Sequence, residues 1–242
     1  MTQSVQTSVS TPLTIDGRRL LLTLAAGAIA SAVIGTMTYY AVHWLMPSVH
    51  AALTTQFVVA EVYSALIADF VLSFGAMQRP PLDLRFTSGK DLGLAFLAWT
   101  GIIGSSLVVY FLLSPITGGL SATTRQILSV ATDAKHLAGQ PESVWIVAIA
   151  RGCLIVPLFE ELLFRGLLLT WLGTHFSTTG AVIVSAAVFA VMHGYPIVLP
   201  YAFVAGLFLG AIRERTGSTL NTFFMHVLNN VVFLCLGLWL LR

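Results

Sequence analysis

Residues 159–166 read Phe-Glu-Glu-Leu-Leu-Phe-Arg-Gly, with two adjacent carboxylates one turn ahead of an arginine. On a helix, neighbouring side chains diverge by about 100°, because 3.6 residues make a turn. Glu160 and Glu161 therefore meet different surroundings. Glu161 and Arg165 stand at i and i+4 and can pair along one face. Glu160 has no such partner in its own turn, which leaves it available for acid–base chemistry. The alternative is a buried structural network in which Glu160 binds some other helix. His226 and Asn230 also stand at i and i+4. Two side-chain donors on one face, in a low-dielectric site, can stabilise an oxyanion. The alternative is a polar pair that joins two helices at modest energy. His193 is the remaining candidate: an imidazole in an apolar stretch is either a packing residue or a partner for a water.

The surroundings of these residues are apolar. Charged residues make up 9% of the 242-residue chain and hydrophobic types 57%, where a soluble domain carries about 25% charge. Residues 20–60, 92–124, 166–212 and 216–241 contain no Asp, Glu, Lys or Arg. A membrane-crossing helix needs about 20 apolar residues. The fold class is therefore all-α, a polytopic integral membrane helix bundle. Disorder, a fibrous repeat and an ordinary soluble domain are excluded. A net charge of +2 with scattered basic residues gives no nucleic-acid footprint.

Breaks at Pro47-Ser48, Arg79-Pro80-Pro81, Pro115 with Gly118-Gly119, Gly173 to Gly180, Gly194-Tyr195-Pro196 and Arg213 to Gly217 divide these runs. About seven transmembrane helices are expected, at 20–46, 51–77, 92–114, 144–172, 180–193, 197–212 and 219–241. Three regions follow: a flexible tail at 1–19, transmembrane helices and a loop at 20–141, and a four-helix core at 142–242. With the N-terminus in the cytoplasm, the inner side carries seven Lys or Arg residues and the outer side three, which favours that orientation. Cys153 and Cys235 fall in spans far apart in sequence, as small buried packing residues rather than a disulfide.

Six formal charges fall inside expected spans: Glu61, Asp69, Arg151, Glu160, Glu161 and Arg165. Each costs roughly 2.5–3.5 kcal/mol on insertion scales and invites a functional explanation. Glu61 or Asp69 is expected to neutralise Arg151. Glu160 lies 13 residues before Gly173, and His193 lies 13 residues after Gly180. At 1.5 Å per residue, both are about 20 Å from one hairpin. Antiparallel packing would bring them to the same depth, able to hold a water between them. His226 is only about 10 Å from the Arg213 break, so its depth matches less well. Gly206 and Gly210, with Ala202 one turn earlier, form a small face that lets another helix approach closely.

Glu160-Glu161-Leu162-Leu163-Phe164-Arg165, then Phe189-Ala190-Val191-Met192-His193, then His226-Val227-Leu228-Asn229-Asn230 resemble the CPBP intramembrane proteases. That family includes type II CAAX prenyl endopeptidases and bacterial relatives linked to bacteriocin processing or immunity. The pattern EExxxR, FxxxH and HxxxN is present in order over residues 142–242, while 1–141 carry no family motif. The resemblance implies an endopeptidase in the membrane, in which Glu160 and His193 activate water, His226 and Asn230 form the oxyanion hole, and Glu161 with Arg165 support the site. The substrate implied is a membrane-embedded or lipid-anchored protein or peptide, CAAX-type prenylated or bacteriocin-like. Localisation is then the bacterial inner membrane. The cofactor is either none or zinc; zinc would draw on Glu160, His193 and His226.

Two other classes remain open from sequence. A non-catalytic immunity or scaffold protein of the same fold would use Glu160 and His193 structurally. A proton-coupled carrier would line a path with Glu61, Asp69 and Glu160, but the inverted repeat that supports such carriers is not found.

Overall fold

The computed structural model describes residues 84–85, 87–116, 118–119, 145–146, 149–193 and 197–240, with the isolated helical positions 33, 40 and 44. Among the described residues the structure is helical, with no strand. The helices expected at 20–46 and 51–77, the tail expected at 1–19, Glu61 and Asp69 lie outside, or almost wholly outside, the described residues.

Helix α1 is Gly89–Leu113, α2 is Val156–Glu161, α3 is Leu169–Leu172, α4 is Thr178–Met192, α5 is Leu199–Thr216 and α6 is Thr219–Leu240. Wider π-helical turns, Arg151–Ile155 before α2 and Leu162–Leu168 after it, join α2 and α3 into one composite rod. Residues 89–113 and 219–236 are each long and apolar enough to cross a membrane. In α1, Phe96, Leu97, Leu107, Val108, Phe111 and Leu112 are all exposed. Such a continuous apolar exterior suits a lipid solvent rather than water.

Local chemistry sets the ends. Ser88 caps α1 by accepting from the Asp91 backbone N–H. Ser177 caps α4 in the same way through Gly180. Helix α5 runs through the break expected at Arg213 and stops at Gly217, whose φ of 63° is left-handed. Charge on Arg213, Glu214 and Arg215 does not break a helix; the left-handed residue after the last turn does. The segment before α1 is pinned to the start of α6. The Ser218 hydroxyl donates to the Arg85 carbonyl at 2.9 Å, and the Thr87 hydroxyl donates to Asn221 Oδ1 at 2.9 Å.

The core has two main parts. Ala95 and Ile102 of α1 meet Ala205, Leu209 and Ile212 of α5 and Met225 of α6. On the other side of α5, Ala202 joins Phe164, Phe189 and Ala190. The small face of α5 explains its central place. A Cβ on Gly206 would lie 2.9 Å from the Cα and Cβ of Ala186, and one on Gly210 would lie 3.0 Å from Val182 Cγ1. Helices α4 and α5 thus touch backbone to backbone there. Cys153 is buried, as expected for a packing residue, but Cys235 is exposed on the outer face of α6.

Gly206→Ala should lower the melting temperature of the purified protein, because overpacking costs about 1–3 kcal/mol. Gly104→Ala is the control, since no atom lies within 4 Å of a Cβ at that helical position. It should leave the melting temperature unchanged or raise it, as reduced freedom of the unfolded chain is worth about 0.4–1 kcal/mol. Equal melting temperatures for the two variants would contradict the close α4–α5 contact.

Candidate active site

The site is built where the composite rod, α4 and α6 meet. The rod and α4 form an antiparallel hairpin with a regular register. Leu172 packs with Ala181 near the turn. Further along, the Phe164 and Phe189 rings meet edge to face at 5.0 Å, and the Ser185 hydroxyl donates to the Phe164 carbonyl. Continued by one more turn, the same register would bring Glu160 to the level of His193.

Glu161 and Arg165 are fully buried and paired, with Nη1 donating to Oε1 at 2.7 Å. The pair lies at the start of the second π segment. Arg165 also covers the Phe189 ring, with Cζ 4.3 Å from the centroid. A desolvated contact of that kind is worth about 2 kcal/mol and ties α4 to the rod. The same Glu161 oxygen accepts from His226 Nδ1 at 2.8 Å. His226 therefore reaches the depth of the two carboxylates, despite its short distance from the start of α6. Its other nitrogen, Nε2, lies 3.6 Å from Glu160 Oε2. Adjacent carboxylates thus hold opposite edges of one imidazole.

His193 closes α4 and is only partly buried. Its Nδ1 lies 2.8 Å from the Phe189 carbonyl. A carbonyl can only accept, so Nδ1 carries a proton and Nε2 is the basic nitrogen of the neutral ring. The ring also stands edge to face with Phe189 at 4.6 Å.

Asn230 is positioned by a backbone irregularity. In the first π segment the Val156 N–H bonds to the Arg151 carbonyl, five residues back. The next such bond would run from residue 157 to the Gly152 carbonyl, but Pro157 has no N–H. That carbonyl instead accepts from Asn230 Nδ2 at 2.9 Å. The contact fixes the amide's orientation and leaves it a second N–H. The proline, the wide turn and the asparagine form one arrangement. Pro157 was visible in the sequence, but the register shift that frees Gly152 was not.

His193, His226 and Asn230 open onto one cavity, with about 40 Å³ of room for water centres. A single water needs about 10–15 Å³ by that measure. Glu160 is not part of this lining and adjoins it through His226. Tyr201 and Asn229 also line the cavity; both lie outside the motif positions, and Asn229 was overshadowed by its neighbour. The trio named for zinc does not fit a metal as arranged. Among the described residues, no three His, Cys, Asp or Glu side chains come together at metal-binding distance.

Residues 142–232 match the family model described as type II CAAX prenyl endopeptidase, Rce1-like. This bears out the resemblance drawn from the three motifs, over the segment that carries them. Comparisons with curated proteins and with solved structures gave no significant match.

Removing Arg165 leaves Glu161 with an uncompensated charge in an apolar interior. Arg165→Ala should destabilise the protein by about 3–5 kcal/mol, visible as a large drop in folded yield and melting temperature. Arg165→Lys should recover part of this, since it keeps the charge but loses the planar stack on Phe189. A wild-type melting temperature for Arg165→Ala would contradict the pairing.

Proposed function

We propose that this chain is an intramembrane endopeptidase that hydrolyses a peptide bond of a membrane-associated substrate through a water activated by Glu160 and His193. The supporting observation is the shared carboxylate–imidazole arrangement. Glu161 is committed to Arg165 and His226, while Glu160 adjoins the same imidazole at 3.6 Å. The family match over residues 142–232 supports a protease acting on a CAAX-type prenylated peptide or protein.

In the proposed reaction, Glu160 takes a proton from water as the oxygen attacks the scissile carbonyl carbon. His193 Nε2 holds that water, because its Nδ1 is tied to Phe189. The carbonyl oxygen becomes the oxyanion. The free N–H of Asn230 donates to it, as does His226 Nε2 when that nitrogen carries a proton. As the tetrahedral intermediate collapses, the C–N bond breaks and the leaving nitrogen takes its proton from Glu160. The products are a carboxylic acid and an amine, and the acid's proton passes to the amine to leave a carboxylate and an ammonium group. Burial strengthens each of these interactions over its value in water. No step passes through a metal.

The test uses purified protein in lipid vesicles with a farnesylated CAAX peptide as probe. Glu160→Gln keeps volume and hydrogen bonding but cannot accept the proton. It should fold normally and lose about 10²–10⁴-fold in cleavage rate. His226→Ala should lose about 10²–10³-fold through the oxyanion. Wild-type protein should keep its activity in excess chelator. Cleavage by Glu160→Gln at the wild-type rate would overturn the assignment of the base. Loss of activity in chelator, restored by zinc, would overturn the metal-free route. An intact peptide after long incubation with wild-type protein would favour the non-catalytic binding protein.

A further inference from the structure

The cavity holds polar chemistry that the proposed reaction does not use. Tyr201 of α5 and Asn229 of α6 both line it. The Tyr201 hydroxyl and the Asn229 Oδ1 are buried; the two side chains adjoin each other, and neither atom makes a well-formed hydrogen bond among the described residues. Asn229 as a whole is only 7% exposed. Leaving such groups unsatisfied costs about 1–3 kcal/mol each, and native interiors rarely retain them without a reason.

Packing holds both side chains in place. The Tyr201 ring stands edge to face against Phe233 at 5.0 Å. Asn229 is one residue before Asn230, which is anchored to Gly152. It is one turn after Met225, which packs with Ile102, Ala205 and Leu209. The last four residues form the apolar wall of the same cavity. The two side chains therefore line a fixed space that they share with these apolar groups and with His193, His226 and Asn230.

We infer that Tyr201 and Asn229 form a substrate-backbone subsite that grips the C=O and N–H of one residue of an extended peptide beside the scissile bond. This inference rests on the peptidase reading of the same cavity. The pair offers one donor, the tyrosine hydroxyl, and one acceptor, the asparagine carbonyl. In an extended chain the N–H and C=O of a single residue point to the same side, as in a hydrogen-bonded pair of antiparallel strands. A donor and an acceptor side by side match that pattern whatever the side chain of the bound residue. Tyr201 and Asn229 are positioning residues here: they set where the peptide lies and leave the chemistry to the groups opposite.

The experiment measures binding without turnover. A short farnesylated CAAX peptide is titrated into the Glu160→Gln protein in detergent micelles, followed by a series of the same peptide N-methylated at one residue at a time. One N-methyl position should weaken binding by about fivefold to tenfold, the usual value of one hydrogen bond. In Glu160→Gln/Asn229→Leu, of similar volume, that position should no longer matter. Tyr201→Phe should weaken the parent peptide by a similar factor with no change in melting temperature. Binding that ignores Asn229→Leu and Tyr201→Phe, in a peptide that wild-type protein does cleave, overturns the subsite and leaves the peptidase reading intact. A lowered melting temperature for Tyr201→Phe with unchanged affinity shows the pair bonded to each other, which also overturns it. A peptide bound with the expected N-methyl pattern but never cleaved upholds the subsite and contradicts the peptidase. A peptide neither bound nor cleaved contradicts both.

Discussion

An ionised side chain among apolar helices must find its opposite charge, and the buried Glu161–Arg165 pair is where this chain meets that requirement. Both groups are essentially without solvent contact. The arginine can face Glu161 only from the next turn of the rod, and its flat guanidinium then covers Phe189 of α4. The carboxylate has capacity for a further donor, which His226 of α6 supplies. One ion pair thus draws three helices to a common point. It also decides what the neighbouring carboxylate can do. Glu160 departs from Glu161 by one helical step, and its approach to the far edge of His226 follows from that step.

The second organising feature is the backbone of the rod itself. Widened turns flank α2 on both sides, and such turns recur at functional sites because they free carbonyls and re-aim side chains. Here the freed carbonyl belongs to Gly152 and is answered by Asn230. The cost of interrupting the helix ladder is offset by a contact that orients a side chain towards the cavity. Close packing of α5 through Gly206 and Gly210 keeps α4 from drifting away, so His193 stays at the level that the hairpin register sets.

The sequence made much of this legible, and the exceptions have physical causes. Spacing alone pointed to Glu161 with Arg165 and to the shared face of His226 and Asn230, since i,i+4 positions are neighbours on a helix whatever surrounds it. The small face of α5 was equally plain, because only missing side chains permit backbone contact. The end of α5 was misplaced, since a cluster of charges at Arg213 to Arg215 resembled a loop and Gly217 settles the matter by its left-handed conformation. Counting residues from the Arg213 break left the depth of His226 a poorer match, since a count along one helix carries no information about how its neighbours tilt or how far a side chain reaches. The π turns and the Gly152 contact depend on a register shift that no residue pattern announces. Tyr201 and Asn229 escaped notice because a tyrosine and an asparagine in apolar helices are commonplace until their polar atoms are seen to lack well-formed hydrogen bonds.

The central claim is that Glu160 belongs to a working peptidase rather than to a binding scaffold. It is tested most directly by comparing new protein termini in membranes from cells expressing wild-type chain and cells expressing Glu160→Gln at equal, folded levels. The account predicts at least one membrane-associated protein with a cleaved terminus present with wild type and missing with Glu160→Gln. Identical sets of termini in the two membranes, with both proteins folded, would contradict it.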